Sequence, residues 1–190
     1  MQTIKKETTN EYGYKGIQEL DPQSNKVIKQ TTFHSDNTTI WYIEEFDPQT
    51  EYQTKQTWYG SDGKIEAIAN YNPQTGYQTK ETYYGSNGKT ISSIDEYDPK
   101  TGYQTKKTEY NSNSTTIDYI IEYNPKTNKP IKQTTFRPNG TTIWYITEYN
   151  PQTGNETKST YYKSDGTIEE VENFPEDDDD HECNCEYCGY

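Results

Sequence analysis

The sequence predicts an all-β protein built from tandem antiparallel β-hairpin repeats that form one elongated, twisted or coiled meander sheet. Three observations predict it: six evenly spaced prolines, an alternation of period two after each, and two kinds of turn in every period. Pro22, Pro48, Pro73, Pro99, Pro125 and Pro151 stand 26, 25, 26, 26 and 26 residues apart. Seven residues after each is a lysine (Lys29, Lys55, Lys80, Lys106, Lys132, Lys158), and nine after is a threonine (Thr31, Thr57, Thr82, Thr108, Thr134, Thr160). Eleven after is an aromatic: Phe33, Tyr59, Tyr84, Tyr110, Phe136, Tyr162. Keeping every second residue is the period of a strand, whose side chains alternate between faces.

The elements follow in order. The first strand of each unit carries the Lys, Thr and aromatic positions, and a turn such as Ser61-Asp62-Gly63 or Ser86-Asn87-Gly88 ends it. The second strand carries Ile40, Ile43 and Phe46 in the first unit, Ile91, Ile94 and Tyr97 in the third, and Ile143, Ile146 and Tyr149 in the fifth. The link to the next unit, Tyr97-Asp98-Pro99-Lys100-Thr101-Gly102, sets Pro where φ near −65° starts a turn and Gly where φ must be positive. Asp98 is placed to bond back to the turn amides.

Setting Asp98 opposite Tyr103 predicts a register: Tyr97 with Gln104, Asp95 with Lys106, Ser93 with Thr108, Ile91 with Tyr110. The same count pairs Ile40 with Tyr59, Ile65 with Tyr84, Ile117 with Phe136, Ile143 with Tyr162, and Glu44 with Lys55. It expects an Ile and aromatic stripe on one face. The other face should carry Ile43, Ile68, Ile94, Ile120 and Ile146 beside Glu45, Glu96, Glu122 and Glu148, with Trp41 opposite Trp58 and Trp144 opposite Tyr161. Residues 1–19 read as a degenerate half-repeat capping the first edge, 20–174 as six repeats, and 175–190 as an acidic, Cys-containing flexible tail.

Composition alone points elsewhere. Ile, Leu, Val and Phe number 16, 1, 2 and 4, and the net charge is −13, a profile usually associated with disorder. Twenty tyrosines and the strict period reverse that reading, because the apolar surface is large and ordered along the chain. The acidic balance argues against a nucleic-acid partner. No stretch approaches the roughly 18 apolar residues of a membrane helix, and Met1 to Asn10 has no apolar signal core. A soluble chain in the bacterial cytoplasm is expected, or one secreted into a host if a signal peptide has been removed. Ala occurs only at 67 and 69 and Arg only at 137, the residue bias of an AT-rich genome.

The unit Tyr-Asn/Asp-Pro-x-Thr-Gly, then Thr-Lys-x-Thr-x-Tyr, then Ser-Asp/Asn-Gly-Lys-Thr-Ile resembles the repeat of a family of phytoplasma proteins known as a domain of unknown function. The resemblance covers about residues 20 to 174. Phytoplasmas live inside plant and insect cells and export many effectors, so the resemblance implies an interaction role and lends no catalytic residues. More distantly, the stretch from Thr57 to Ile65 is similar to variant MORN hairpins and to choline- and glucan-binding hairpins. The Tyr-Asp-x-x-x-Gly element is similar to the YD repeats of Rhs shells.

No residue is singled out as catalytic and no cofactor is expected, since Lys, Thr and Glu recur as columns in every unit, the mark of structure. His34 reads as a lone surface residue at a turn. Trp41, Trp58, Trp144 and Tyr161 have two readings: lids over the central Ile row, or platforms that anchor a protein partner or stack on a sugar. In the tail, His181, Cys183, Cys185 and Cys188 are a candidate ligand set for Zn²⁺ or for softer Cu⁺. Cys185 and Cys188 read equally as a redox pair, an odd thiol would join two chains, and an inert tail is the plain alternative. The leading expectation is a non-enzymatic scaffold for protein partners, the second an adhesin-like carbohydrate-binding module.

Overall fold

The computed structural model describes residues 3–112 and 115–175. The strands are β1 (Ile4–Thr9), β2 (Lys15–Leu20), β3 (Val27–Phe33), β4 (Ile40–Phe46), β5 (Gln53–Tyr59), β6 (Ile65–Tyr71) and β7 (Gln78–Tyr84). They continue as β8 (Ile91–Tyr97), β9 (Gln104–Tyr110), β10 (Ile117–Tyr123), β11 (Pro130–Phe136), β12 (Ile143–Tyr149), β13 (Glu156–Tyr162) and β14 (Ile168–Asn173). All fourteen lie in one sheet in chain order, every neighbouring pair antiparallel. No strand touches any but its chain neighbours, so the sheet is open and not strongly curled. Among the described residues it is a single layer with no second layer over either face.

A single layer has no closed core. The only buried apolar side chains among the described residues are Ala67 and Ala69; the other buried ones are Thr and Ser in the strands. The large rings and isoleucines are mostly half-covered by their neighbours on the same face.

The long turn forms as the sequence predicts. The Asp98 amide donates to the Tyr103 carbonyl (2.9 Å), and the Asp98 carboxylate accepts from the amides of Lys100 and Thr101 (2.9 and 2.8 Å). Successive turns also stack. The Tyr77 ring lies against Gly102 of the next unit, where a Cβ would meet it at 3.0 Å, and the Thr75 hydroxyl donates to the Pro99 carbonyl (2.8 Å).

The register differs from the predicted one because each unit contains two β-bulges. Tyr97 does pair with Gln104, but the next pair inward is Glu96 with Lys106, leaving Thr105 as the extra residue. Asp95 therefore faces Lys107 and Ser93 faces Glu109, and likewise Glu45 rather than Glu44 faces Lys55. At the other end of the strand, Tyr84 pairs with Ile91 and Tyr83 with Ser93, so Ser92 is extra. Ile91 thus partners Tyr84 instead of Tyr110, and Tyr110 partners Ile117. The equivalent pairs are Phe33 with Ile40, Tyr59 with Ile65, Phe136 with Ile143 and Tyr162 with Ile168. The pairs thus form across the short turn of one unit, not between units.

These bulges reassign the faces. A bulge adds a residue that has no partner, so side chains three apart along the strand point the same way. Ile40 and Ile43 therefore share a face, as do Ile91 and Ile94. The central Ile row lies with the Ile and aromatic stripe, not opposite it. It crosses the sheet as Thr31, Ile43, Thr57, Ile68, Thr82, Ile94, Thr108, Ile120, Thr134, Ile146 and Thr160.

The same regular face carries a ladder of charge beside that row. Ion pairs join Lys55 to Glu45 (3.7 Å), Lys106 to Glu96 (3.5 Å), Lys132 to Glu122 (3.8 Å) and Lys158 to Glu148 (3.2 Å). At the first bulge the hydroxyls of Thr54, Thr79, Thr105 and Thr157 donate across it to the carbonyls of Glu45, Asn70, Glu96 and Glu148 (3.0–3.1 Å).

Candidate functional site

The second face is irregular, and the aromatic residues singled out in the sequence lie on it. Trp58 pairs with Tyr42 and Tyr161 with Tyr145; Trp41 and Trp144 are not their partners but occupy the bulges. A bulge turns two successive side chains to one side. The Trp41 and Tyr42 rings accordingly meet edge to face at 5.3 Å, and Trp144 and Tyr145 at 5.6 Å. Tyr145 also meets Tyr161 at 5.5 Å. The two clusters are thus Trp41-Tyr42-Trp58 and Trp144-Tyr145-Tyr161. Trp41 is 37% exposed and Trp144 49%, and both stand on the face opposite the Ile row, so they do not cover it.

The first cluster is larger than the sequence suggested. Tyr14 from the β1–β2 hairpin meets Trp41 at 5.3 Å, and the His34 ring stacks on Trp41 at 5.8 Å with planes 26° apart. His34 is half-buried, with Nε2 enclosed and without a hydrogen-bond partner, contrary to its reading as a free surface residue. Arg137 takes the corresponding place in the fifth unit and donates from Nη2 to the Tyr162 carbonyl (2.6 Å). The signal available in the sequence was the repeated stretch Ile-Trp-Tyr-Ile at 40–43 and 143–146, which carries two adjacent rings at the bulge of a second strand.

Between the clusters the same face carries charge. Glu81, Asp95 and Lys107 are successive cross-strand partners, and Glu109 pairs with Lys107 through space at 3.3 Å. Burial pushes the Asp95 carboxyl above its usual range; Lys107 opposes this while Glu81 and Glu109 add to it. Burial, with Asp95 next, pushes Tyr97 up to about 12. Burial and then a hydrogen bond to Glu81 raise Tyr83 further. Burial works against the charge of Lys107, but Glu109 and Tyr119 hold its ammonium above the ordinary lysine value. Sequence reasoning missed this group because the predicted register placed Asp95 against Lys106.

The described residues include no group of three His, Cys, Asp or Glu side chains arranged to hold a metal ion. His181, Cys183, Cys185 and Cys188 lie outside the described residues. Among the described residues no helix is long and apolar enough to cross a membrane.

No curated protein matches the chain. Among solved structures, the chain is similar to the crystal structure of TarM, with a TM-score of 0.38 and 16% identity over 59% of this chain and 20% of that one. It is also similar to a mutant of S. aureus TarM in complex with Fondaparinux, alpha-GlcNAc-glycerol and UDP, with a TM-score of 0.33 and 10% identity over 67% of this chain and 21% of that one. The chain spans about a fifth of either protein. One family model matches six times, over residues 9–58, 33–83, 59–109, 84–135, 110–161 and 136–181. These overlapping windows each span about two of the 26-residue units defined by the bulged hairpins, and the chain belongs to the family described as Protein of unknown function (DUF2963).

Proposed function

We propose that the protein is a non-enzymatic repeat scaffold that binds a protein partner on the irregular face of its sheet, as a phytoplasma effector secreted into the host. One observation carries this reading: Trp41 and Trp144 stand exposed on bulges, each held by the ring of the tyrosine that follows it. Rings already fixed on a hydrogen-bonded ladder lose little freedom when covered, and desolvated Trp and Tyr anchors dominate protein interfaces. The resemblance to phytoplasma repeats and the AT-rich residue bias support the setting.

The test is capture from host-cell lysate with the wild-type chain and with the Trp41→Ala/Trp144→Ala double variant. A defined protein held by the first and lost by the second is expected; equal retention by both removes the aromatic site. A second reading, a carbohydrate-binding module, is favoured by the exposed indoles alone. A glycan array decides it: sugar binding lost in the same double variant, with no protein partner, replaces the leading reading.

A further inference from the structure

The two edge strands are complementary halves of the interior ladder. Through its pairing with β13, β14 takes the role of an interior second strand: Asn173 pairs with Lys158 as Glu148 pairs with Lys132, and Val171 pairs with Thr160 as Ile146 pairs with Thr134. Through its pairing with β2, β1 takes the role of an interior first strand, Lys5 opposite Glu19 as Lys29 is on the other side of β2. Among the described residues nothing pairs with the outer side of β1 or β14. An unpaired strand edge is a template for another chain, and natural sheets usually protect it.

We propose that β14 of one copy pairs antiparallel with β1 of a second, continuing the sheet head to tail. The interior register then sets Asn173 against Lys5, Glu172 against Lys6, Val171 against Glu7 and Glu170 against Thr8. Lys6 has no ionic partner among the described residues, and neither do Glu169 and Glu170 on the opposite edge. Lys6 enters directly across from Glu172 and diagonally to Glu170, an arrangement that stabilises cross-strand pairs. β14 against β14 would oppose like charges, since the only charged residues of that strand are Glu169, Glu170 and Glu172. One position is mismatched: Glu7 faces Val171 where every interior first strand has Thr, which keeps the association reversible. The contact is heterologous, so it does not close on itself and grows into a chain of copies.

The test needs no other partner: light scattering after size exclusion and analytical ultracentrifugation of the full chain over a concentration series, with the three tail cysteines changed to serine. Mass should rise with concentration and the rise should weaken at high salt. Lys6→Glu should weaken association by about tenfold, and Lys6→Glu with Glu172→Lys should restore it. Glu7→Thr should strengthen it. Circular dichroism confirms that each variant keeps its sheet. To fix direction, Lys6→Cys and Glu172→Cys variants are mixed under mild oxidation, and only the mixed disulfide is expected. A chain that stays monomeric throughout, or one in which Lys6→Cys joins mainly to itself, overturns the proposal.

Discussion

On one face of the sheet nearly every interior position keeps its chemistry from unit to unit, with Asn70 standing where the other second strands have Glu; on the other face, equivalent positions hold unrelated residues. The regular face repeats Ile against Thr, Lys against Glu, and Ile against an aromatic ring. At one row of the irregular face, the second strands carry Tyr42, Ala67, Ser93, Tyr119 and Tyr145, opposite Trp58, Tyr83, Glu109, Thr135 and Tyr161. In a single layer neither face is sealed, so the array needs one dependable lattice, and the regular face supplies it. The other face is then free to vary.

Substitutions can break this division or sharpen it. The largest effect is expected from Ile94→Ala, which removes a half-buried member of the regular Ile and Thr row and should cost about 2 kcal/mol in denaturant titrations. Trp144→Ala on the irregular face, half-exposed already, should cost about 1 kcal/mol. If the two came out reversed, the regular face would not be the stabilising one.

Turn stacking comes next. Gly88 has φ +67° and a Cβ there would meet the Lys64 Cβ at 2.7 Å, whereas Gly63 has φ +75° and open space around it. Gly63→Ala should lose about 1 kcal/mol from the left-handed backbone alone, and Gly88→Ala about twice that. Equal losses in thermal melts would mean that stacking between units adds nothing.

A third prediction concerns pH. Burial raises the Asp95 carboxyl above its ordinary value, so the folded state holds that proton more tightly than the unfolded one. Stability from this group is present below about 3.9, and is lost as pH rises through the raised value. Asp95→Asn should therefore gain on the wild type at neutral pH and lose that advantage in acid. Asp98 in the turn has the opposite sign: backbone amides hold its carboxyl low, so its contribution is present at neutral pH and is lost as pH falls through the depressed value. Asp98→Ala should lower the melting temperature at neutral pH only.

The smallest effect is expected on the charge ladder of the regular face. Lys106 and Glu96 are both well exposed, so Lys106→Ala should cost less than about 1 kcal/mol, and the difference should shrink in high salt.

Much of this was legible in the residues. The Pro, Lys, Thr and aromatic positions locate first strands, the Asn and Gly turns locate their ends, and Asp98 with Tyr103 closes the turn as read. The register went astray one residue inside that turn, at Thr105. A clue was present: Ile91 and Ile94, like Ile40 and Ile43, are three apart, a spacing that a plain strand would split between faces and that a bulge reunites. The aromatic site was half-legible for the same reason. Trp41 and Trp144 were found, but Tyr42 and Tyr145 were not, because only the bulge turns adjacent rings to one side. His34 and Tyr14 joined the site from separate turns, which no local pattern announces.

By itself the amino-acid order determined the period, the turn types and the succession of strands, because φ limits at Pro and Gly and the alternation of side chains act within a few residues. Tertiary structure decided which residues face each other and which share a side. A bulge is counted along the chain but not across the ladder, so the assignment of every side chain beyond it rests on hydrogen bonds between strands. The openness of the sheet has the same origin: whether a layer closes or stands alone depends on contacts between residues far apart in the chain, and here strands meet only their neighbours.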